Sequence, residues 1–332
     1  MAINARSPHY ISITHADISY ATLDLFVWTG AVGSIGSAKY SLKKFIITGS
    51  TVVSYEISEL VRDYLDLNFN GTYTSEVVYV KSDLKAYNTS DAQVGSTGSV
   101  TSFAYDSYSY FEDPTFDVDN NPILITNREV FVLADNAFRI PINTAVTPTV
   151  SFLKDGVVLS TESFSPTTNT TTQVKYVSIY GSGSDWDTYA ERVVSDGGTF
   201  EDSSCLRSFF EEFEIGQVDQ VQVSDSTGVY FIKVHTVEEC KYEPKKVTFI
   251  NRYGVKQDMY FFKKKVDSMR VKKESYKSNT LNSSNTYSIN SHVNRDFNVV
   301  GSESTTLSSG YLNESYNDVF KEMMLSEKVW MT

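Results

Sequence analysis

The chain is poor in the residues that most often carry chemistry. Its 332 residues include two cysteines, Cys205 and Cys240, and four histidines, His9, His15, His235 and His292. Two cysteines make no disulfide scaffold, and without a Cys-x-x-Cys pair they read as reduced, structural thiols. No two histidines stand in a His-x-x-x-His or His-Glu-x-x-His spacing. His9 and His15 would lie about 20 Å apart along a strand, too far to share one metal without a sharp bend. No apolar run reaches the length of a membrane-spanning helix, and the opening Met-Ala-Ile-Asn-Ala-Arg-Ser-Pro lacks the apolar stretch of a secretion signal. The Gly-rich phosphate loop, the Gly-x-Gly-x-x-Gly turn and the Gly-x-Ser-x-Gly elbow are also missing. Basic residues are outnumbered, 29 Lys and Arg against 41 Asp and Glu, for a net charge of −12. Such a chain has no general attraction for nucleic acid or anionic lipid. Nothing in the sequence calls for a cofactor or a resident metal.

Aromatics are abundant instead, with 22 Tyr, 20 Phe and 3 Trp. Tyr and Phe suit half-buried pleated surfaces, and Tyr is enriched where proteins meet. The patterning agrees with β structure. Tyr10, Ser12 and Thr14 alternate with Ile11, Ile13 and His15, and Leu23, Leu25 and Val27 share one face opposite Asp24 and Phe26. A Gly/Ser loop over 31–38 separates these from a strand over 39–47. One helix is expected from Ile57, Leu60, Val61, Tyr64 and Leu65, which form a single apolar stripe, capped by Ser54 or Ser58. Asn70-Gly71 signals a tight turn before long strands over 72–86 and 100–110.

Pro114 and the turn at 117–122 suggest a boundary. Beyond it, 123–125, 130–133, 150–153, 171–180, 218–223 and 228–237 read as strands. Asp155-Gly156, between Val150-Ser-Phe-Leu-Lys and Val157-Val-Leu-Ser, is the strongest hairpin signal in the chain. The expected fold class is therefore mainly β: tandem β-sandwich domains of the immunoglobulin or fibronectin kind, with two short helices. The domains expected are 1–112, a sandwich with one short helix; 113–240, a second sandwich; and 241–332, a basic hairpin, a polar arm and a C-terminal helix, a candidate incomplete domain.

The third region has its own electrostatics. Residues 241–277 hold twelve basic and four acidic residues, a local charge of +8 that leaves −20 for the remainder of the −12 chain. Strands are expected over 246–251 and 256–262, joined around Tyr253-Gly254. A Ser/Asn/Thr-rich stretch over 278–310 reads as an extended loop, arm or exposed hairpin. A helix over 315–325 presents Tyr316, Val319, Phe320, Met323 and Met324. The apolar Val329-Trp330-Met331 needs a partner to cover it, and a neighbouring subunit is one candidate.

Three weak motifs need weighing. Asp117-x-Asp119-x-Asn121 resembles the start of a calcium loop, but Pro122 and Arg128 stand where Gly and Glu belong. Asp185-Trp186-Asp187 could make a sugar contact, with Trp186 and Tyr189 as glycan-binding aromatics, or a carboxylate pair for glycoside hydrolysis. The plainer reading is a solvent loop after Gly181-Ser-Gly-Ser184. The basic run could meet nucleic acid, since Tyr253, Tyr260, Phe261 and Phe262 interleave with Lys. It could be a solvated edge that discourages aggregation, or it could dock on the acidic remainder of a neighbouring copy. The chain supplies its own complementary charge, which favours docking. The candidate interface residues are Lys263, Lys264, Lys265, Arg270, Lys272, Lys273, Tyr253, Tyr260, Phe261 and Trp330.

Several segments together resemble a family of virion structural proteins from tailed bacteriophages, many of them marine. They are Ala5-Arg-Ser-Pro-His-Tyr-Ile-Ser-Ile13, Leu23-Asp-Leu-Phe-Val-Trp28, Ile57-Ser-Glu-Leu-Val-Arg-Asp-Tyr64, Lys246-Val-Thr-Phe-Ile-Asn-Arg-Tyr-Gly-Val255 with Met259-Tyr-Phe-Phe262, and Gly310-Tyr-Leu-Asn-Glu-Ser-Tyr-Asn-Asp-Val319 with Leu325-Ser-Glu-Lys-Val-Trp330. The resemblance fades across 113–240. It implies a non-enzymatic part of the tail, baseplate or neck, assembled in the host cytoplasm from copies of itself and other virion proteins. A host-surface glycan is the alternative partner. The resemblance also implies a further β region after Val-Trp.

Overall fold

The computed structural model describes residues 2–74, 77–98, 100–110, 116–133, 138–164, 173–179, 218–279, 281, 283–290 and 292–332. The protein is mainly β. Twenty strands and two short α-helices order these residues. No helix among them is long and apolar enough to cross a membrane.

The first eight strands are β1 (Ile3–Asn4), β2 (Tyr10–Thr14), β3 (Tyr20–Trp28), β4 (Tyr40–Phe45), β5 (Val52–Glu56), β6 (Val78–Tyr87), β7 (Gln93–Ser96) and β8 (Val100–Tyr105). Six form one sheet in the order β1-β8-β6-β3-β4, with β7 also on β6, while β2 and β5 pair separately. The alternation in β3 has the expected consequence. Ala21, Leu23, Leu25 and Val27 are buried, and they meet Ile13, Val53 and Tyr55 of the β2–β5 pair across one core. The two layers are thus a sandwich whose inner faces are apolar.

Helix α1 (Ser58–Arg62) closes this core with Val61. It is shorter than the 57–65 stripe, because the chain tightens into i to i+3 turns at Tyr64 and Leu65. The expected serine cap is absent. Ile57 holds the capping position with no side-chain bond. Ser58 donates instead to the Glu56 carboxylate, and Ser54 lies in β5 with its hydroxyl 2.7 Å from that of Ser12.

The next seven strands are β9 (Glu129–Leu133), β10 (Phe138–Asn143), β11 (Thr149–Lys154), β12 (Val157–Ser163), β13 (Val174–Ile179), β14 (Gln220–Ser224) and β15 (Val229–Val237). Five make a sheet in the order β12-β11-β14-β15-β9, and β10 pairs with β13. The β11–β12 hairpin turns on Asp155 and Gly156, both with positive φ, as its Asp-Gly sequence demands. The strand expected over 123–125 is only a single bridge, Ile123 to Ile142, although all three residues are buried.

The last strands are β16 (Lys245–Ile250), β17 (Lys256–Phe261), β18 (Val266–Lys277), β19 (Asn294–Thr306) and β20 (Val329–Met331), with helix α2 (Tyr316–Leu325) before β20. The order β17-β16-β20 makes one sheet and β18-β19 another. The turn from β16 to β17 is built on Asn251. Its amide donates to Leu124 O at 2.6 Å and Gln257 Oε1 at 2.8 Å, and its Oδ1 accepts from the Tyr253 amide at 3.0 Å. Gly254 follows with φ +75.

Packing divides the chain into two compact units, one of residues 1–238, 246–260 and 312–332, the other of residues 239–245 and 261–311. These bounds differ from the three stretches drawn from sequence. The reason is a second core in the first unit, where Ala2, Tyr73 and Tyr105 pack with Leu124, Val174, Tyr176, Tyr253 and Val255. Residues from every third of the chain share that one cluster.

Candidate functional site

The most unusual surface is the β18–β19 hairpin, called the arm below. All twelve residues of β18 and all thirteen of β19 are exposed. At the usual rise it is about 40 Å long. Its strands pair from Val266↔Thr306 to Lys277↔Asn294, with one irregularity between Lys272 and Glu274. There β19 carries an extra residue at Asn298, whose φ is +48, a bulge of the kind that adds twist. The ladder continues at both ends. The Lys263 amide donates to Ser308 O at 2.9 Å and the Ser278 amide to Val293 O at 2.7 Å.

Strand alternation sorts the side chains onto two faces. One carries Val266, Arg270, Lys272, Tyr276, Arg295 and Phe297, and on it the Tyr276 and Phe297 rings meet edge to face at 5.7 Å. The other carries Asp267, Met269, Val271, Lys273, Asp296 and Glu303, with Lys273 bonded to Asp296 at 3.1 Å. Both faces leave large apolar groups in water, including Met269 at 64% and Val300 at 56% exposure. Apolar surface concentrated in this way is a common feature of surfaces that meet other molecules.

The sequence-derived interface residues divide sharply. Lys263, Lys264, Arg270, Lys272 and Lys273 are exposed and Lys265 is half-buried. Lys263 pairs with Glu239 at 2.7 Å and Lys265 with Asp267 at 3.0 Å. The Lys263 contact holds the Glu239 carboxyl below its ordinary range and raises the ammonium above its own. Arg270 and Lys272 have no ion-pair partner among the described residues.

Tyr253, Tyr260 and Phe261 are buried, so they are core and not contact surface in this chain. Strand β17 is buried on both faces, with Lys256 only 1% exposed. The +8 run is therefore not one surface: the largely buried strands β16 and β17 interrupt it before the arm, and Lys256 is its one buried cation. Trp330 is half-buried, 5.5 Å from the Phe69 ring, and β20 pairs with β16 in the same chain, while the Val329 and Met331 side chains stay exposed. Trp186 and Tyr189, with Asp185 and Asp187, lie outside the described residues, as does Cys205. Cys240 is a free, exposed thiol, unlike the structural thiol expected.

The titratable groups inside the first unit hold elements together. Asp258 Oδ1 accepts from the Tyr73 hydroxyl at 2.6 Å and from Thr248 Oγ1 at 2.7 Å. Burial, and then the Asp258 charge, push the Tyr73 phenol far above its ordinary value. A cavity of about 310 Å³ is lined by Arg62, Asp106, Glu327 and Lys328. Arg62 spans it, bonding Asp106 at 3.3 Å and also Glu327. Burial raises the Asp106 carboxyl, and Arg6 and Arg62 oppose the rise. Arg62, Asp106 and Glu327 are thus committed to one another, and Lys328 Nζ donates to Leu67 O at 2.6 Å. Asp117, first of the calcium-like triplet, accepts from the Ala2 and Asp119 amides and caps a 3-10 turn over Val118–Asn120. Among the described residues no three His, Cys, Asp or Glu side chains are grouped to hold a metal ion.

The residues missed in sequence are those of β19, above all Phe297, Val300 and Arg295. Their region, dominated by Ser and Asn, reads as an extended loop, arm or exposed hairpin with no side chain singled out. The available signal was a pair of runs, 266–277 and 294–306, each with apolar residues two apart around a polar middle.

No protein-family model matches the chain. No curated protein matches it either. Among solved structures, one similar chain is a chimeric titin Z1Z2 tandem functionalised with a GRGDS peptide from fibronectin. It is 12% identical, with 72% of this chain and 95% of that one covered, at a TM-score of 0.17. A score that low says nothing about function.

Proposed function

We propose that this chain is a non-enzymatic structural protein of a tailed-phage virion, a tail, baseplate or neck component that assembles through contacts with its own copies and with other virion proteins. The arm carries the assembly part of this reading. A two-stranded ribbon without an apolar layer against it is marginal in water, and its open edges template pairing. A partner that covers it resolves both problems. The virion part rests on the sequence resemblance. No cofactor or substrate enters.

The test uses Arg270→Glu with Lys272→Glu, because among the described residues these two cations have no ion-pair partner, whereas Lys263 and Lys265 are already paired within the chain. Mass photometry and negative-stain imaging should show rings or polymers for the wild type. The double variant should associate more weakly, with the difference largest at low salt, since exposed charges are screened over about 10 Å at 0.1 M. A wild-type chain that stays monomeric at every concentration and joins no virion protein would overturn the reading.

A further inference from the structure

We infer that the arm's partner is the arm of a second copy, joined edge to edge: the outer edge of β18 pairs with the outer edge of β19 in the next chain, and repetition closes a ring of hairpins. This rests on the assembly reading above. Among the described residues neither outer edge has a strand neighbour. In an antiparallel pair the N–H and C=O groups of alternate residues point away from the partner strand. Each arm therefore offers two rows of unmet donors and acceptors, and the rows match in length, twelve residues against thirteen.

Charge chooses between pairings. Strand β18 holds Arg270, Lys272, Lys273 and Lys277 against Asp267 and Glu274, a net of +2. Strand β19 holds Arg295 against Asp296 and Glu303, a net of −1. Two β18 edges side by side repel, and so do two β19 edges, whereas β18 beside β19 attracts. That contact uses different surfaces on the two chains, so it propagates until it closes. Cyclic symmetry about an axis along the arms keeps every β18 pointing one way and every β19 the other. The new ladder is then antiparallel, like the one inside each hairpin. Closure removes the free edges, and the twist added at Asn298 suits the curvature closure needs. The ring would have two chemically distinct sides, one with Arg270, Lys272, Arg295, Tyr276 and Phe297, the other with Met269, Val271, Asp296 and Glu303.

Hydrogen–deuterium exchange on the full-length wild-type chain tests this. Peptides covering 266–277 and 294–306 are followed at a dilution giving monomers and at a concentration giving oligomers, with mass photometry on the same samples. Association is expected to slow exchange at least tenfold in both strands together. Protection of β18 alone, or of β19 alone, would mean that like edges meet and would overturn the inference. Oligomers in which neither strand gains protection would overturn it and leave the assembly reading standing. Absence of oligomers at any concentration would remove both.

Discussion

The hydroxyl of Tyr73 donates a 2.6 Å hydrogen bond to the carboxylate of Asp258, a residue 185 positions further along the chain, and the bond is buried. Thr248 shares the same acceptor oxygen, and Lys246 Nζ lies 3.3 Å from the phenol. The group ties the loop before β6 to β16 and β17. Tyr73→Phe keeps the ring and removes one donor from a buried carboxylate. The expected cost is about 1–3 kcal/mol in urea denaturation. An unchanged midpoint would show that Asp258 does not depend on this bond.

Gly254 should be irreplaceable. Its φ is +75, and a Cβ there would stand 2.6 Å from the Asp106 carbonyl carbon and 2.7 Å from the Ser107 nitrogen. Both are backbone atoms that no rotamer change can move. Left-handed backbone costs a residue with a Cβ roughly 1–2 kcal/mol, and overpacking adds about 1–3 kcal/mol more. Gly254→Ala should lower the melting temperature by many degrees or prevent folding. Gly36→Ala, where nothing lies within 4 Å and φ is not positive, is the control and should change little.

Glu322 gives the first unit a pH dependence. It is fully buried in α2, accepting from the Thr126 hydroxyl and from the Arg252 amide at 3.3 Å. Burial raises its carboxyl above the ordinary value, against those hydrogen bonds and the Arg252 charge. A raised folded value means the protonated form is favoured in the fold. That stabilisation is complete below the unfolded value and is lost as pH rises through the folded one. Glu322→Gln can keep both contacts without a charge, its oxygen facing the amide and its NH2 the hydroxyl. Its stability relative to wild type should therefore improve from about pH 4 to pH 7, each pH unit by which burial raises the carboxyl contributing roughly 1.4 kcal/mol. Denaturation at several pH values measures this, and a difference that stays flat with pH would refute it.

What could be read from sequence was local. Asp155-Gly156 dictates its turn whatever surrounds it, and Leu23, Leu25 and Val27 declare a buried face through alternation alone. Pairings between distant segments were illegible. Val329-Trp330-Met331 looks unpaired in sequence, whereas its backbone joins β16, some 80 positions earlier, with the Val329 and Met331 side chains left exposed. Tyr253, Tyr260 and Phe261 looked like interface because lysines surround them in sequence. Lys256 is interior, however, its ammonium 3.4 Å from Thr74 Oγ1, and the aromatics went inside with it. The apolar face predicted for α2 was partly wrong for a related reason. Glu322 points inward where Thr126 and Arg252 receive it, and Met324 is 81% exposed. Charge in a sequence shows where ions stand along the chain, and only long-range packing shows which of them meet water.

The two-strand ladder of the arm also limits how its span can change. Removing one residue from each strand would exchange the two faces, because side chains alternate with a period of two. Removing two from each, opposite one another, would keep Arg270 and Tyr276 on their own side and shorten the arm by about 7 Å. The closing bond between Lys263 and Ser308 would be untouched. Span in this architecture is stepwise: related chains could reach nearer or farther in increments of two residue pairs, as a ladder is cut only between rungs.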